Sequence, residues 1–267
     1  MTSRATTKLK PAKSQEILRR RIKNFFGNQA QEQEIGELFN TLARVGRVAI
    51  FGGVLRDLAL DGLAARPRDI DVVVECDRRA DLAMCLTPFR PERNRFGGFR
   101  YRVGGWLFDT WCTKDTWAVK EGLVEAQGLD DLVRTTYFDW DAALYEVRSA
   151  SFAILPDYFQ RLASSVVDIN LPDNPNPIGN LVRALRFLVL GRANLGPNLV
   201  SAALNSLRTL NERDILEAES SSYRIRCLSI ERLYAVRSRL ELALDEAGSV
   251  AEYFRPHQIS FPSVDAR

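Results

Sequence analysis

The stretch Val48–Glu75, VAIFGGVLRDLALDGLAARPRDIDVVVE, constrains the chain more than any other. Val48–Phe51 is a short apolar run with β-branched residues, the pattern of a buried strand. Gly52-Gly53 breaks that run. Val54–Leu60 then has helical spacing, with Leu55, Leu58 and Ala59 on one side and Arg56 and Asp57 on the other. Asp61-Gly62 closes the helix, and after a loop containing Pro67 the segment Asp69-Ile70-Asp71 runs into Val72-Val73-Val74, a second strand. Two glycines at a helix start let backbone N–H groups approach an anion, which the helix dipole also favours. Asp69 and Asp71 sit two apart at a strand start, so both carboxylates leave the same face of the sheet. Their repulsion is relieved by a divalent cation, and ligation by oxygen alone suits Mg²⁺ or Mn²⁺. A phosphate cradle beside such a pair is apparatus for nucleotidyl transfer.

Bulk properties narrow the classes further. The chain has 267 residues, 46% hydrophobic and 27% charged, ordinary for a globular protein large enough for one domain or two. No stretch has the apolar length of a membrane span, and the polar N-terminus lacks a signal-peptide core, so a cytoplasmic protein is expected. Cys76, Cys85, Cys112 and Cys227 show no metal-ligand spacing and are expected to be free thiols in a reducing compartment. The single histidine, His257, excludes an HExxH zinc site and leaves carboxylates and metal as the expected machinery.

The net charge of +3 is uneven: before Asn24, eight basic residues (Arg4, Lys8, Lys10, Lys13, Arg19, Arg20, Arg21 and Lys23) face one acid, Glu16. Such a segment is either the electrostatic footprint of a nucleic-acid binder or a solubilising tail with a solvated helix face. Ser14 is positioned to cap a helix running to about Phe26, and Gln31–Arg44 repeats apolar residues at helical spacing. After Glu75, a helix is expected over Arg78–Leu86, then two strands, Phe99–Val103 and Trp106–Cys112, joined by a Gly104-Gly105 hairpin turn. Asp109 is the only acid of the second strand, among Trp106, Phe108 and Trp111. Unless it is an edge carboxylate facing water, an acid in so apolar a strand needs a reason. A helix is expected over Asp115–Leu123, capped by Asp115, and strands over Ala142–Val147 and Ser151–Leu155. Leu171–Pro177, LPDNPNP, reads as a linker, and everything beyond it as helical: Ile178–Leu190, Pro197–Leu210 and Cys227–Ala247.

Gly52-Gly53-x-x-Arg56-Asp57 followed by Asp69-x-Asp71 on an apolar strand resembles the head of class II tRNA nucleotidyltransferases and bacterial poly(A) polymerases, within the DNA polymerase β superfamily. The resemblance implies an α+β fold, a polymerase β-like head with a mixed sheet and flanking helices followed by an all-helical neck. It implies that Asp69 and Asp71 bind the catalytic metal, with Asp109 as the third metal-associated carboxylate. It places Gly52, Gly53, Arg56 and Asp57 at the nucleotide, the glycines and Arg56 against its phosphates. Arg134–Val147, RTTYFDWDAALYEV, is similar to the family's second motif, RRDFTINALxY, in Phe138, Ala142 and Tyr145; Thr136-Tyr137 and Asp141 replace its polar residues. Asp141 is thus either a contact to ribose or metal, or a structural cap. Arg183-Ala184-Leu185-Arg186-Phe187 matches the neck motif RAxRF, making Arg183 and Arg186 either phosphate ligands or ties of neck to head, and Ser229-Ile230-Glu231-Arg232 resembles a recurrent S-x-E-R. The family's base-reading Glu-Asp-x-x-Arg is absent: Asn176-Pro177-Ile178-Gly179-Asn180 stands there.

The expected organisation is a basic arm and helix over residues 1–27, a head over 28–170, a neck over 171–250 and a tail over 251–267. The expected activity is Mg²⁺- or Mn²⁺-dependent transfer of a nucleotide from an NTP to an acceptor hydroxyl. RNA is the expected acceptor, bound through the basic N-terminal segment, with a tRNA 3′ end as one candidate, in a modifying or toxin-like role rather than housekeeping CCA addition. A transferase acting on a protein or small molecule, and a non-catalytic RNA- or nucleotide-binding module, are the alternatives.

Overall fold

The structure, a computed structural model, describes residues 10–27 and 32–248. Arg4, Lys8 and the tail His257–Arg267 lie outside the described residues. Two compact units divide the chain, Met1–Ala163 and Ser164–Arg267. That boundary precedes the LPDNPNP segment expected to be the linker.

The first unit contains, in order, α1 (Gln15–Gly27), α2 (Glu32–Leu42), β1 (Arg47–Phe51), α3 (Gly53–Asp61), β2 (Ile70–Glu75), α4 (Arg79–Leu86), β3 (Glu92–Arg93), β4 (Phe99–Val103), β5 (Trp106–Cys112), α5 (Trp117–Lys120), β6 (Ala143–Glu146), β7 (Phe152–Ile154) and α6 (Tyr158–Ser164). Its seven-stranded mixed sheet has the order β3-β4-β5-β2-β1-β6-β7. Only β2 and β5 run parallel; every other neighbouring pair is antiparallel. Gly104 and Gly105 both have positive φ (56° and 77°), as a tight turn between β4 and β5 requires.

One face of the sheet carries Val48, Ile50, Ile70, Val72, Val74, Phe99, Tyr101 and Phe108, all buried. Tyr101 stacks on Phe108, and Phe39 of α2 meets Phe108 edge-on. Burying each such aromatic contributes about 2–3 kcal/mol. The other face carries a second apolar cluster. There Phe51, Val73 and Leu144 form a cluster with Leu129, Leu132 and Val133 from a 3-10 segment over Leu129–Thr135 that the sequence did not announce. Asp71 and Asp109 lie on that face as well.

Helix α1 is a packed element of this unit. Leu18, Ile22 and Phe25 are buried, Arg21 donates to the Leu58 and Ala59 carbonyls, and Arg19 donates to the Ala150 carbonyl. Burial lowers the Arg21 guanidinium pKa, with a further push from Arg20. The basic residues left exposed in and just before this helix are Lys10, Lys13, Arg20 and Lys23.

Asp115, expected to cap a helix to Leu123, instead pairs with Arg79 and Lys120 (3.4 Å), and the helix shrinks to a 3-10 turn plus α5. Cys76 and Cys112 are joined in a disulfide, correcting the expectation of four free thiols; Cys85 and Cys227 are free. The bond follows from topology: Val74 of β2 lies beside Cys112 of β5, so Cys76 ends next to it.

The second unit is mainly helical: β8 (Val166–Val167), α7 (Pro177–Val189), β9 (Asn194–Leu195), α8 (Pro197–Thr209), α9 (Glu212–Ser222) and α10 (Ile230–Gly248). The parallel β8–β9 pair and helix α9 depart from the expected all-helical layout of three helices. Helix α9 has only Ile215 and Glu219 buried, too sparse a stripe to read. Buried Glu219 accepts from the Cys227 and Leu228 backbone N–H groups (2.9 and 3.0 Å) and from Arg186, fixing the passage into α10. Ser229 and Arg232 cap that helix: the Arg232 N–H donates to Ser229 Oγ and its guanidinium to the Cys227 carbonyl. Among the described residues no helix is long and apolar enough to cross a membrane.

Candidate active site

The site grows out of strand register. Phe51 of β1 faces Asp71 of β2, Asp71 lies beside Asp109 of β5, Asp109 faces Arg100 of β4, and Arg100 faces Glu92 of β3. Partners at one register position share a face of the sheet. A single row therefore reads Glu92, Arg100, Asp109, Asp71, Phe51. Asp69 directly precedes β2, and its charge, like that of Asp71, acts on Arg100. Asp71 and Asp109 thus share one face of the sheet, with Asp109 buried (6% exposed) and Asp69 and Asp71 half-buried.

Immediately after Phe51 the chain turns at Gly52, whose φ of +71° is a conformation that L side chains rarely adopt. A Cβ there would lie 3.9 Å from Asp71 Oδ2 and 4.0 Å from the Asp141 carbonyl, so this turn adjoins both residues. The Gly52 N–H donates to the Ala143 carbonyl (3.0 Å), tying the turn to β6. The N-terminus of α3 therefore opens beside Asp71.

Arg56 and Asp57 follow on α3. The Arg56 guanidinium bends back near Gly53, donates to Asp57 (2.9 Å) and pairs with Asp141. Burial alone would lower its pKa, but the charges of Asp141 and Asp57 outweigh that and raise it. Arg56, Asp57 and Asp141 are one ion-paired group in which Asp141 anchors an arginine. Buried Tyr158 lies in the same field and donates to the Trp140 carbonyl (3.1 Å); burial raises its pKa, and Asp141 adds to the rise.

Arg186 is held inside the helical unit by Glu219, by the Ile225 carbonyl (2.8 Å) and by the Tyr223 ring, 3.8 Å from its guanidinium carbon. All of these contacts lie within the helical unit. Arg183 lies one helical turn earlier on α7, half-buried. Asn176 caps α7, its side chain accepting from the Gly179 N–H (3.2 Å).

One site residue escaped the sequence reading. Arg100 donates from Nε to both Asp109 oxygens (3.0 and 3.2 Å), and its Nη2 bonds Oδ2 as well. That bond to Asp109 raises the Arg100 pKa, and the charges of Asp109, Asp69 and Asp71 raise it further. Asn94 approaches Asp109 at 3.4 Å. Three carboxylates without a soft ligand suit a hard divalent cation in chemistry. As they stand, however, no three His, Cys, Asp or Glu side chains among the described residues are grouped to hold a metal. Arg100 pairs with Asp109, and Arg68 pairs with Asp69 at 3.4 Å.

No family model matches the chain, and no curated protein matches it. Solved structures do. A CCA-adding enzyme in complex with CTP is 17% identical, over 90% of this chain and 56% of that one, with a TM-score of 0.56. The Thermotoga maritima CCA-adding enzyme complexed with tRNA is 14% identical, over 88% and 57%, at 0.57. A tRNA nucleotidyltransferase complexed with a primer tRNA and an incoming ATP analogue is 18% identical, over 83% and 63%, at 0.51. The fold is thus the mixed-sheet and helical fold found in CCA-adding enzymes, as the resemblance implied. The chain spans less than two thirds of each of those structures.

Proposed function

We propose that this chain is a nucleotidyltransferase moving a nucleotide from an NTP to an acceptor hydroxyl on RNA. The observation that carries the reading is the placement of Asp71 beside Asp109 on parallel strands, next to the Gly52 turn that opens α3. Asp69, Asp71 and Asp109 would hold Mg²⁺ or Mn²⁺. Such a cation, when bound, supplies charge stabilisation for the displaced pyrophosphate and activation of the attacking hydroxyl. The N-terminus of α3, with the Gly52-Gly53 turn, orients the phosphates. Arg56 and Asp57 brace that turn from behind, through Asp141. RNA is the acceptor that the fold relatives suggest, since two of those structures contain tRNA. The exposed Lys13, Arg20 and Lys23 are cationic positions for its backbone.

The base-reading acids are replaced by Asn176–Asn180, a segment occupied in capping α7. A site that hydrogen-bonds its substrate rejects analogues lacking those groups, and this segment lacks the acid–arginine set. Nucleotide choice therefore departs from ordered C, C, A addition, which fits a modifying or toxin-like role.

The test incubates the full chain with each labelled NTP, Mg²⁺ or Mn²⁺, and total cellular RNA, beside Asp71→Ala. Label should enter RNA with the wild type and fall at least about a thousandfold with the variant. Wild-type activity in Asp71→Ala would remove the carboxylate assignment. Tight NTP binding without transfer to any RNA would favour a binding module, and ordered completion of CCA on a truncated tRNA would overturn the altered specificity.

A further inference from the structure

Strand β4 alternates Phe99, Arg100, Tyr101, Arg102 and Val103, buried and exposed in turn. An arginine on the outer face of such a strand normally keeps its head in water. Arg100 instead forks onto both oxygens of Asp109, while about half of its side chain remains exposed (47%). Asp109 itself is buried, so its oxygens have little access to water and depend on Arg100 and Asn94. A divalent cation that took Asp109 as a ligand would need the lone pairs that now accept from Arg100. It would also stand next to a positive charge. Arg100 and the cation are competitors for one carboxylate.

The same fork that matches a carboxylate also matches a phosphate. A half-exposed arginine on a long side chain can exchange one for the other without any backbone movement. The Gly52 turn, beside Asp71 in the same row, is where the phosphates are placed by the nucleotidyltransferase reading.

We propose that Arg100 is a displaceable counter-cation of the acid row, released from Asp109 by the triphosphate of an incoming nucleotide. Metal and nucleotide are consequently taken up together, and the acid row does not hold a divalent cation ahead of the nucleotide. Arg100 is a positioning residue for the metal, and a phosphate ligand once released. This rests on the nucleotidyltransferase reading.

The measurement is Mn²⁺ binding to the full chain, read as free Mn²⁺ by electron paramagnetic resonance. It is made with and without a non-hydrolysable ATP analogue and corrected for chelation by the analogue alone. Wild type, Arg100→Gln, Arg100→Lys and Asp71→Asn are compared. Replacing a charge-assisted fork should tighten Mn²⁺ binding to Arg100→Gln about tenfold over wild type. The analogue should tighten Mn²⁺ binding to wild type by a similar factor, and to Arg100→Gln far less. Arg100→Lys, which keeps the charge but not the fork, should fall between. Equal Mn²⁺ affinity in wild type and both Arg100 variants, abolished by Asp71→Asn, would overturn the role of Arg100 and leave the metal site standing. Folded wild type and variants that all fail to bind Mn²⁺, with or without the analogue, would overturn both. Should Arg100→Gln not fold, Arg100→Lys against wild type decides alone: no tightening overturns the proposal.

Discussion

Arg56 and Arg100 each clasp an aspartate within the same unit, and Gly52 with Asp71 lies near both pairs. Arg56 holds Asp141 with only 13% of its side chain exposed, and Asp57 takes a second donor. Arg100 holds Asp109 with 47% of its side chain exposed, on a strand next to the sheet edge. The chemistry of the two pairs is the same, and their surroundings differ. Around Arg56 there is little water to replace a lost partner, so the pair is a strut. Around Arg100 water can solvate the guanidinium on departure, so the pair can open. Burial, more than the identity of the partners, separates an arginine that supports a site from one that can take part in it.

Three single substitutions and one double replacement probe this contrast. Arg56→Ala leaves Asp141 and Asp57 without their cation in a poorly hydrated place, and should cost about 3–5 kcal/mol in urea unfolding. Replacing Arg56 and Asp141 together by apolar residues should recover most of that loss; no recovery would mean that the pair is not what stabilises the region. Gly52→Ala, between the two pairs, should cost about 1–3 kcal/mol, because φ +71° with ψ −128° lies outside the regions open to L residues. The nearest neighbouring atom would lie 3.9 Å from its Cβ, so the cost comes from the backbone conformation alone. An unchanged unfolding midpoint would show that the turn can relax. Arg100→Gln takes the cation from buried Asp109 but still offers it an amide donor, and should cost about 1–2 kcal/mol, less than Arg56→Ala. A loss as large as that of Arg56→Ala would erase the distinction between strut and exchangeable pair.

The acid row was largely legible because strands have a strict period of two. Asp69 and Asp71 declared one face, and the lone acid of β5 declared the next position. Arg100 was legible in principle. Counting outward from the Gly104-Gly105 turn pairs Val103 with Trp106, Arg102 with Leu107, Tyr101 with Phe108 and Arg100 with Asp109. The Cys76–Cys112 bond was not legible, because it depends on a parallel pairing of β2 with β5 across an intervening helix and hairpin. The Arg56–Asp141 pair was hidden for the same reason: its members are 85 positions apart and meet only through the β1–β6 pairing. The packed face of α1 was legible beside its basic residues, since Leu18, Ile22 and Phe25 recur at helical spacing.

The disulfide has a consequence for the connectivity of the chain. The backbone from Cys76 to Cys112, closed by the two sulfurs, is a covalent ring, and Arg100 lies within it together with α4 and β3. At its two junctions the ring meets the strands that carry Asp71 and Asp109. A single cut anywhere on its backbone leaves one continuous molecule, with each new end still tethered through a cysteine. Once nicked, the arm that presents Arg100 keeps a single attachment, as in an ordinary hairpin insertion, but the two fragments stay joined through the sulfurs beside the acids.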